Sequence, residues 1–349
     1  METDSGLDIP ERGGRGAVGH VPVLLKEAID FLAVKRGGTY LDATVGLGGH
    51  SLEIAKRLGA AGHLIGFDKD PAALARAVVS LRLSVVSEGA GETGLTQGPS
   101  TTHDDSLRES SRSARDDRAG RDDSGFDWPR VTLIHGSFAE VGERVAPATL
   151  DGLMADLGVS SLQLSDAARG FSFQAEGPLD MRMNPMSGET AEQVVNRIDE
   201  RELADVIYEF GEERRSRRIA RAIVRSRPIR TTTQLVEVVS AAARSMKYKH
   251  ERIHPATRTF QALRIFVNRE LDDLKALLAA APGVLKPGGR LVVISFHSLE
   301  DRIVKDAMRE GAKANHFRLL TRKPVTASED EIDRNPRSRS AKMRAAVKV

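Results

Sequence analysis

The chain contains no cysteine. That single absence removes disulfides, thiolate metal sites, iron–sulfur clusters and any cysteine nucleophile. Long apolar runs are missing as well. None reaches the roughly 18–20 residues needed to span a bilayer. Residues 1–19 are polar and glycine-rich, without the apolar centre of a signal peptide, so a cytoplasmic protein with no membrane partner is expected. Charge of one sign is also scarce overall, with a formal net value of +3. The arginines are uneven along the chain, and local patches therefore carry more information than the total. What is present is a 349-residue chain that is 40% hydrophobic, enough for one large domain or two moderate ones with a substantial core.

The most informative stretch is Tyr40-Leu41-Asp42-Ala43-Thr44-Val45-Gly46-Leu47-Gly48-Gly49-His50, followed by His63-Leu64-Ile65-Gly66-Phe67-Asp68. It reads as strand, glycine turn, helix, and a second strand ending in an acid, the first half of a nucleotide-cofactor fold. Glycines let the backbone turn sharply and approach a ligand, and the helix that follows points free N–H groups at it. Asp68 stands where a carboxylate accepts ribose hydroxyls. A dinucleotide fingerprint wants a third small residue, Gly or Ala, three after Gly48, and Ser51 is there instead. The acid-x-x-x-Gly-x-Gly pattern begun by Asp42 is the form usual for S-adenosylmethionine (SAM). An NAD-dependent oxidoreductase remains the alternative on the same fold, since fold alone does not settle function.

Five short runs rich in Val, Ile or Leu predict strands at residues 39–44, 63–67, 131–135, 152–155 and 290–296. Helical patterns between them predict a mostly parallel sheet, an α/β, Rossmann-like arrangement whose ligands sit outside the carboxyl ends of the strands. Asp42, Asp68, His135, Asp156 and His297 fall at those ends. Residues 317–321 and 344–349 are candidates for a closing hairpin. Residues 88–125 hold only Leu95 and Leu107 as large aliphatics, and such a segment predicts disorder.

Well over a hundred residues separate the fourth and fifth strands, too many for one crossover. Thr190-Ala191-Glu192-Gln193 reads as a capping box, and Leu203, Val206, Ile207 and Phe210 recur at helical spacing. A small helical domain at 169–249 is therefore expected inside a sheet domain formed by 20–168 and 250–349, with one crossover helix at 259–280 and Pro287-Gly288-Gly289 as the turn before the fifth strand. Residues 211–230 hold eight arginines against two acids. Arg214, Arg217 and Arg221 among them are candidates for phosphate contact, against the blander reading of a solvated face.

Further local signatures are Asp156-Leu157-Gly158-Val159-Ser160-Ser161-Leu162-Gln163, Arg169-Gly170-Phe171-Ser172-Phe173, Leu179-Asp180-Met181-Arg182-Met183, His254-Pro255-Ala256-Thr257-Arg258-Thr259-Phe260, and Ser295-Phe296-His297-Ser298-Leu299-Glu300-Asp301-Arg302. With His20-Val21-Pro22-Val23-Leu24 at the front, the chain resembles the RsmH (MraW) family, SAM-dependent enzymes that methylate the N4 amine of a cytosine in 16S ribosomal RNA. The resemblance runs from residue 20 to residue 349, apart from 88–125. It implies SAM as cofactor, and as partner the 16S rRNA of the small (30S) subunit, with a homodimer left open. It implies that Gly48, Gly49 and His50 line the methionine end of SAM, that Asp68 holds the ribose, that Phe138 packs beside the adenine, and that Asp156 and Gln163 complete the contacts. Asp156 is also the candidate catalytic residue, binding cofactor, substrate amine, or both.

Simpler roles stand beside these. His50 at a helix start is also a capping group, Ser298-Leu299-Glu300-Asp301 beside His297 also fits a helix N-cap with acids in its first turn, and Phe171 and Phe173 also fit a core. No set of His, Asp and Glu has clear metal-ligand spacing. Cytosine C5 methylation, which needs a cysteine nucleophile, is excluded. A non-catalytic RNA-binding assembly factor with a SAM pocket remains the third reading.

Overall fold

A computed structural model describes residues 22–81, 128–243 and 254–349. The expected disordered segments at 1–19 and 88–125 lie outside the described residues. The first half of the chain gives α1 (Leu25–Leu32), β1 (Thr39–Asp42), α2 (Gly49–Leu58), β2 (His63–Asp68) and α3 (Pro71–Leu81). After the undescribed segment come β3 (Arg130–His135), α4 (Val141–Arg144), β4 (Leu150–Asp156) and α5 (Ser161–Ser165). Four helices follow, α6 (Ala191–Arg197), α7 (Glu200–Gly211), α8 (Ser216–Arg225) and α9 (Thr232–Ala243). The chain closes with α10 (Ala256–Asn268), α11 (Glu270–Val284), β5 (Leu285–Ser295), α12 (Ser298–Lys313), β6 (Phe317–Leu319), α13 (Glu329–Arg334) and β7 (Lys342–Lys348).

The strands form one sheet in the order β3-β2-β1-β4-β5-β7-β6. Neighbours from β3 to β5 are parallel, and β7 runs antiparallel to both β5 and β6. This is the expected α/β sheet. The reversal of strand order between β1 and β4 opens a crevice at their carboxyl ends, where such folds bind ligands.

Side chains alternate across a strand, and the two faces bury different partners. Leu41, Leu153, Ala155, Leu291 and Val293 face a core with Leu274, Leu277 and Leu278 of α11 and Val304 and Met308 of α12. Tyr40, Met154, Val292 and Ile294 face the opposite core, with Ile29 and Leu32 of α1 and Ile54 and Leu58 of α2. A one-residue slip in any of these strands would exchange the two faces.

A further core is built without the strands of the sheet. Val194 and Val195 of α6, Leu203 and Ile207 of α7, Ile219 and Ile223 of α8, and Leu235 and Val239 of α9 are packed there. The expected capping box is formed, with the Thr190 hydroxyl accepting from the Gln193 N–H and the Gln193 side chain accepting from the Thr190 N–H. Ala256, Phe260 and Leu263 of α10 join this core. Phe171 is buried in it, and Phe173 packs edge-on against Phe260 with centroids 4.9 Å apart.

Two expectations are corrected. The single helix expected at 259–280 is broken into α10 and α11 at Arg269, which takes φ +52°. Asn268 drives the break, because its amide is recruited by the loop before α6, donating to Met181 O at 2.7 Å and accepting from Met183 N at 2.7 Å. The fifth strand begins earlier than residue 290. Leu285 already pairs with Leu150, and the Pro-Gly-Gly segment is looped out before Arg290 pairs with Gly152.

Candidate active site

The carboxyl ends of β1, β2 and β4 open into a cleft that residues of the β1–α2 turn, Asp68 and Asp156 line together. The turn from β1 to α2 is braced from behind. Asp42 is buried, its Oδ2 accepting from the Ser51 hydroxyl at 2.5 Å and its Oδ1 from Thr44 N at 3.1 Å. Burial raises its pKa, and these donors partly offset the rise. Asp42 therefore shapes the glycine turn, and among the described residues it does not line the cleft.

The expected cofactor residues divide in two. Gly49, His50, Asp68, Phe138, Asp156 and Gln163 all line the cleft. Gly48 does not. It precedes α2 with φ +84°, its α-carbon turned toward Ala77 of α3, so its contribution is the backbone conformation that only glycine adopts freely. Gly49 faces the other way, where a β-carbon would sit 2.3 Å from Pro22 Cγ.

Asp68 is held by two backbone donors, Gly46 N to Oδ2 at 2.8 Å and Asp70 N to Oδ1 at 2.8 Å. Each oxygen keeps a lone pair for a ligand hydroxyl. Burial pushes its carboxyl up to about 6 despite those donors. Phe138 opens a short 3-10 turn capped by Ser137 and Glu140. Gln163 is nearly inaccessible and already engaged at both ends, accepting from Ser160 N at 2.9 Å and donating to Asp70 Oδ2 at 2.9 Å.

Asp156 closes β4. Its backbone N–H donates to Thr44 Oγ1 at 2.6 Å. Its Oδ2 lies 3.6 Å from His50 Nδ1, and its buried Oδ1 has no hydrogen-bond partner. Burial, then the nearby Asp42 carboxylate, pushes its carboxyl up to about 8, against the pull of Arg337. His50 is buried, with Nε2 3.0 Å from the Val23 carbonyl oxygen. A carbonyl only accepts, so Nε2 carries the hydrogen.

Arg337 is a cleft residue that the sequence pattern does not single out. It comes from the 3-10 turn Pro336–Ser340, donates to Val159 O at 2.6 Å and to the Ser161 hydroxyl, and lines the cleft. Charge spacing alone gave no signal for this, because the approach depends on how the segment after α13 returns to the sheet. Glu300 also reaches the cleft. It is the partner of His297 in the capping box of α12, so a cap is formed there, with His297 as the N-cap in place of the expected Ser298. Burial would raise the Glu300 carboxyl, yet the His297 imidazole and Arg264 together hold it below the usual value. Glu270, His297 and Glu300 approach one another within 4.8 Å. Glu270 is already bound by Arg264 through two hydrogen bonds of 2.8 and 2.9 Å.

The cleft is acidic. Asp68, Asp156, Glu270 and Glu300 face Lys69 and Arg337, and Lys69 is itself paired with Asp273 at 2.5 Å. Such a wall suits a ligand that carries positive charge and ribose hydroxyls together. The arginine candidates lie apart from it. Arg214, Arg217 and Arg221 are exposed on α8 and the turn before it, Arg221 3.2 Å from Glu200, and none lines the cleft. Among the described residues no helix is long and apolar enough to cross a membrane.

The chain matches the MraW methylase family over residues 17–88 and 122–349, which leaves out most of the polar segment between α3 and β3. It is 62% identical over 347 residues to the ribosomal RNA small subunit methyltransferase H of Koribacter versatilis, covering 99% of each chain. It is 58% identical over 329 residues to the protein of that name from Acidobacterium capsulatum, covering 94% of this chain and 98% of the other. The corresponding protein of Xylella fastidiosa (strain M23) is 44% identical over 348 residues, with 95% and 97% covered. The methyl donor of such an enzyme is SAM, and Asp68 and the acidic wall fit its ribose and its sulfonium. By family match and by identity along almost its whole length, the chain belongs to the MraW methylase family.

Proposed function

We propose that this chain transfers the methyl group of SAM to the N4 exocyclic amine of a decoding-centre cytosine in 16S rRNA of the small (30S) ribosomal subunit. The relatives carry the name of small-subunit ribosomal RNA methyltransferases, which supports rRNA methylation as the activity. The observation that carries the amine as acceptor is the bare, buried Oδ1 of Asp156 at the cleft. The lone pair of a cytosine amine is delocalised into the ring. A proton acceptor aligned on its N–H localises that pair as it attacks.

Bound SAM supplies an electrophilic methyl on a sulfonium, displaced in line with the electron pair returning to sulfur. The amine nitrogen gains carbon and gives up one proton, which Asp156 Oδ1 takes. The rest of the site positions the reactants, the chief demand of such a displacement. Asp68 would hold the ribose, Phe138 would pack beside the adenine, Gly49 and His50 would line the methionine end, and Gln163 stiffens the wall through Asp70. Asp156 must be ionised to accept the proton. Its carboxyl is pushed up to about 8, and a positive ligand nearby shifts it toward the carboxylate.

An amine on a stacked or paired base cannot reach a buried methyl, so the target cytosine is splayed or flipped. We assign capture of the flanking strand to the helices at 169–249, through phosphate contacts from Arg214, Arg217 and Arg221. Incubation with labelled SAM and small subunits lacking the modification, followed by nucleoside analysis, tests this reading. Label in N4-methylcytidine is expected. Label in another nucleoside, or none, overturns it.

A further inference from the structure

We propose that His50 is the positioning residue of the transfer: its imidazole Nδ1 shares a proton with Asp156 Oδ2, so that Oδ1 stays bare toward the substrate amine. This rests on the reading of Asp156 as the amine's proton acceptor. The His50 ring is fixed from behind by Val23 O at 3.0 Å, and Nδ1 points at Oδ2 across 3.6 Å. That is longer than a formed hydrogen bond, and catalytic hydrogen bonds are often long before substrate arrives and tighten on binding. The Asp156 main chain is pinned to Thr44, and Pro22 and Val23 cover the first turn of α2. Both partners are therefore held on rigid elements.

The groups facing Asp156 are Asp42 from β1, Glu300 from α12, Arg337 from the turn Pro336–Ser340 and His50 from α2. On α2 itself, Glu53 is committed to Lys56 and Arg57, so it does not compete for the imidazole. With Nε2 fixed as a donor, one exchangeable proton belongs to the pair, on Nδ1 or on Oδ2. Either placement leaves a lone pair on Oδ1. During transfer the sulfur loses its positive charge and the amine proton arrives on the pair. Charge within the buried cleft is conserved, and no new charge has to be created in a low dielectric.

The test compares the full-length wild type with His50→Gln. Gln keeps a donor for Val23 O and places nothing at Nδ1. Single-turnover methylation of unmodified small subunits is measured across pH, with SAM affinity by calorimetry. At saturating SAM, His50→Gln is expected to show the rise of rate shifted to higher pH by about one unit, a rate loss near neutrality of about tenfold. An unmoved pH profile, with or without a weakened SAM affinity, overturns the proposal and leaves His50 as a cofactor contact alone. A second measurement needs neither the variant's folding nor the RNA. SAM binding to wild type, titrated in buffers of different ionisation enthalpy, is expected to exchange protons between pH 7 and 8, above the range in which Asp68 ionises. No proton exchange over that range overturns the shared proton. It does so whether or not the methylated nucleoside is N4-methylcytidine, so the two readings fail separately.

Discussion

Asp70 and Arg169 form a buried ion pair that ties the end of β2 to the loop entering the helical layer. Arg169 Nη1 donates to Asp70 Oδ2 at 2.8 Å, and the Asp70 side chain is fully buried. The other arm of the guanidinium donates to the carbonyls of Arg182 and Met183, each at 2.9 Å. One side chain thus fixes the cofactor-side wall to the segment that leads into α6. Removing it leaves a carboxylate buried with, among the described residues, the Gln163 amide and the Ala72 N–H as partners.

Arg169→Ala is accordingly expected to destabilise the fold by about 3–5 kcal/mol, the usual cost of stranding one member of a buried pair. Urea unfolding measures it. A loss under about 1 kcal/mol contradicts the coupling.

The sheet was legible because its strands are short apolar runs ending in acids or histidines, as strands buried on both faces are. Three features were not legible. The break at Arg269 has no Gly or Pro to announce it, since Asn268 is drawn out by tertiary hydrogen bonds with the Met181–Met183 loop. Asp42 fits the cofactor pattern but serves Ser51 and Thr44 behind the turn, and a spacing rule cannot tell a brace from a ligand contact. Arg337 reads as surface charge because its neighbours are basic, while its place in the cleft comes from a long return of the chain.

Asp68→Ala is expected to weaken SAM binding by roughly 10- to 150-fold, the loss of charge-assisted hydrogen bonds worth about 1.5–3 kcal/mol. The pH dependence has a definite sign. With its carboxyl raised to about 6, Asp68 accepts ribose hydroxyls best once ionised. Wild-type affinity should therefore fall as pH drops through 6, and Asp68→Ala should lose that part of the slope. Calorimetry across pH 5–8 reads both. Unchanged affinity in the variant removes Asp68 from the ribose.

The arginine face predicts a different dissection. Replacing Arg214, Arg217 and Arg221 by Gln should leave SAM affinity unchanged, because none of the three lines the cleft. Subunit binding should weaken, and its log–log salt slope should flatten by roughly 0.7–0.9 for each phosphate that is no longer neutralised. A normal methylation rate with a normal slope would make these residues a solvated face, with RNA entering elsewhere.

The account turns on Asp156 as the group that takes the amine proton. Its most direct test is single-turnover methylation of unmodified small subunits by Asp156→Asn, with SAM affinity measured beside it. Asn matches the shape of the side chain and cannot accept the proton at Oδ1 as a carboxylate does. The expected result is a rate lowered by about 10²–10⁴-fold, the range that a positioned proton acceptor contributes, while SAM still binds. A rate within about threefold of wild type, with N4-methylcytidine still formed, would contradict it.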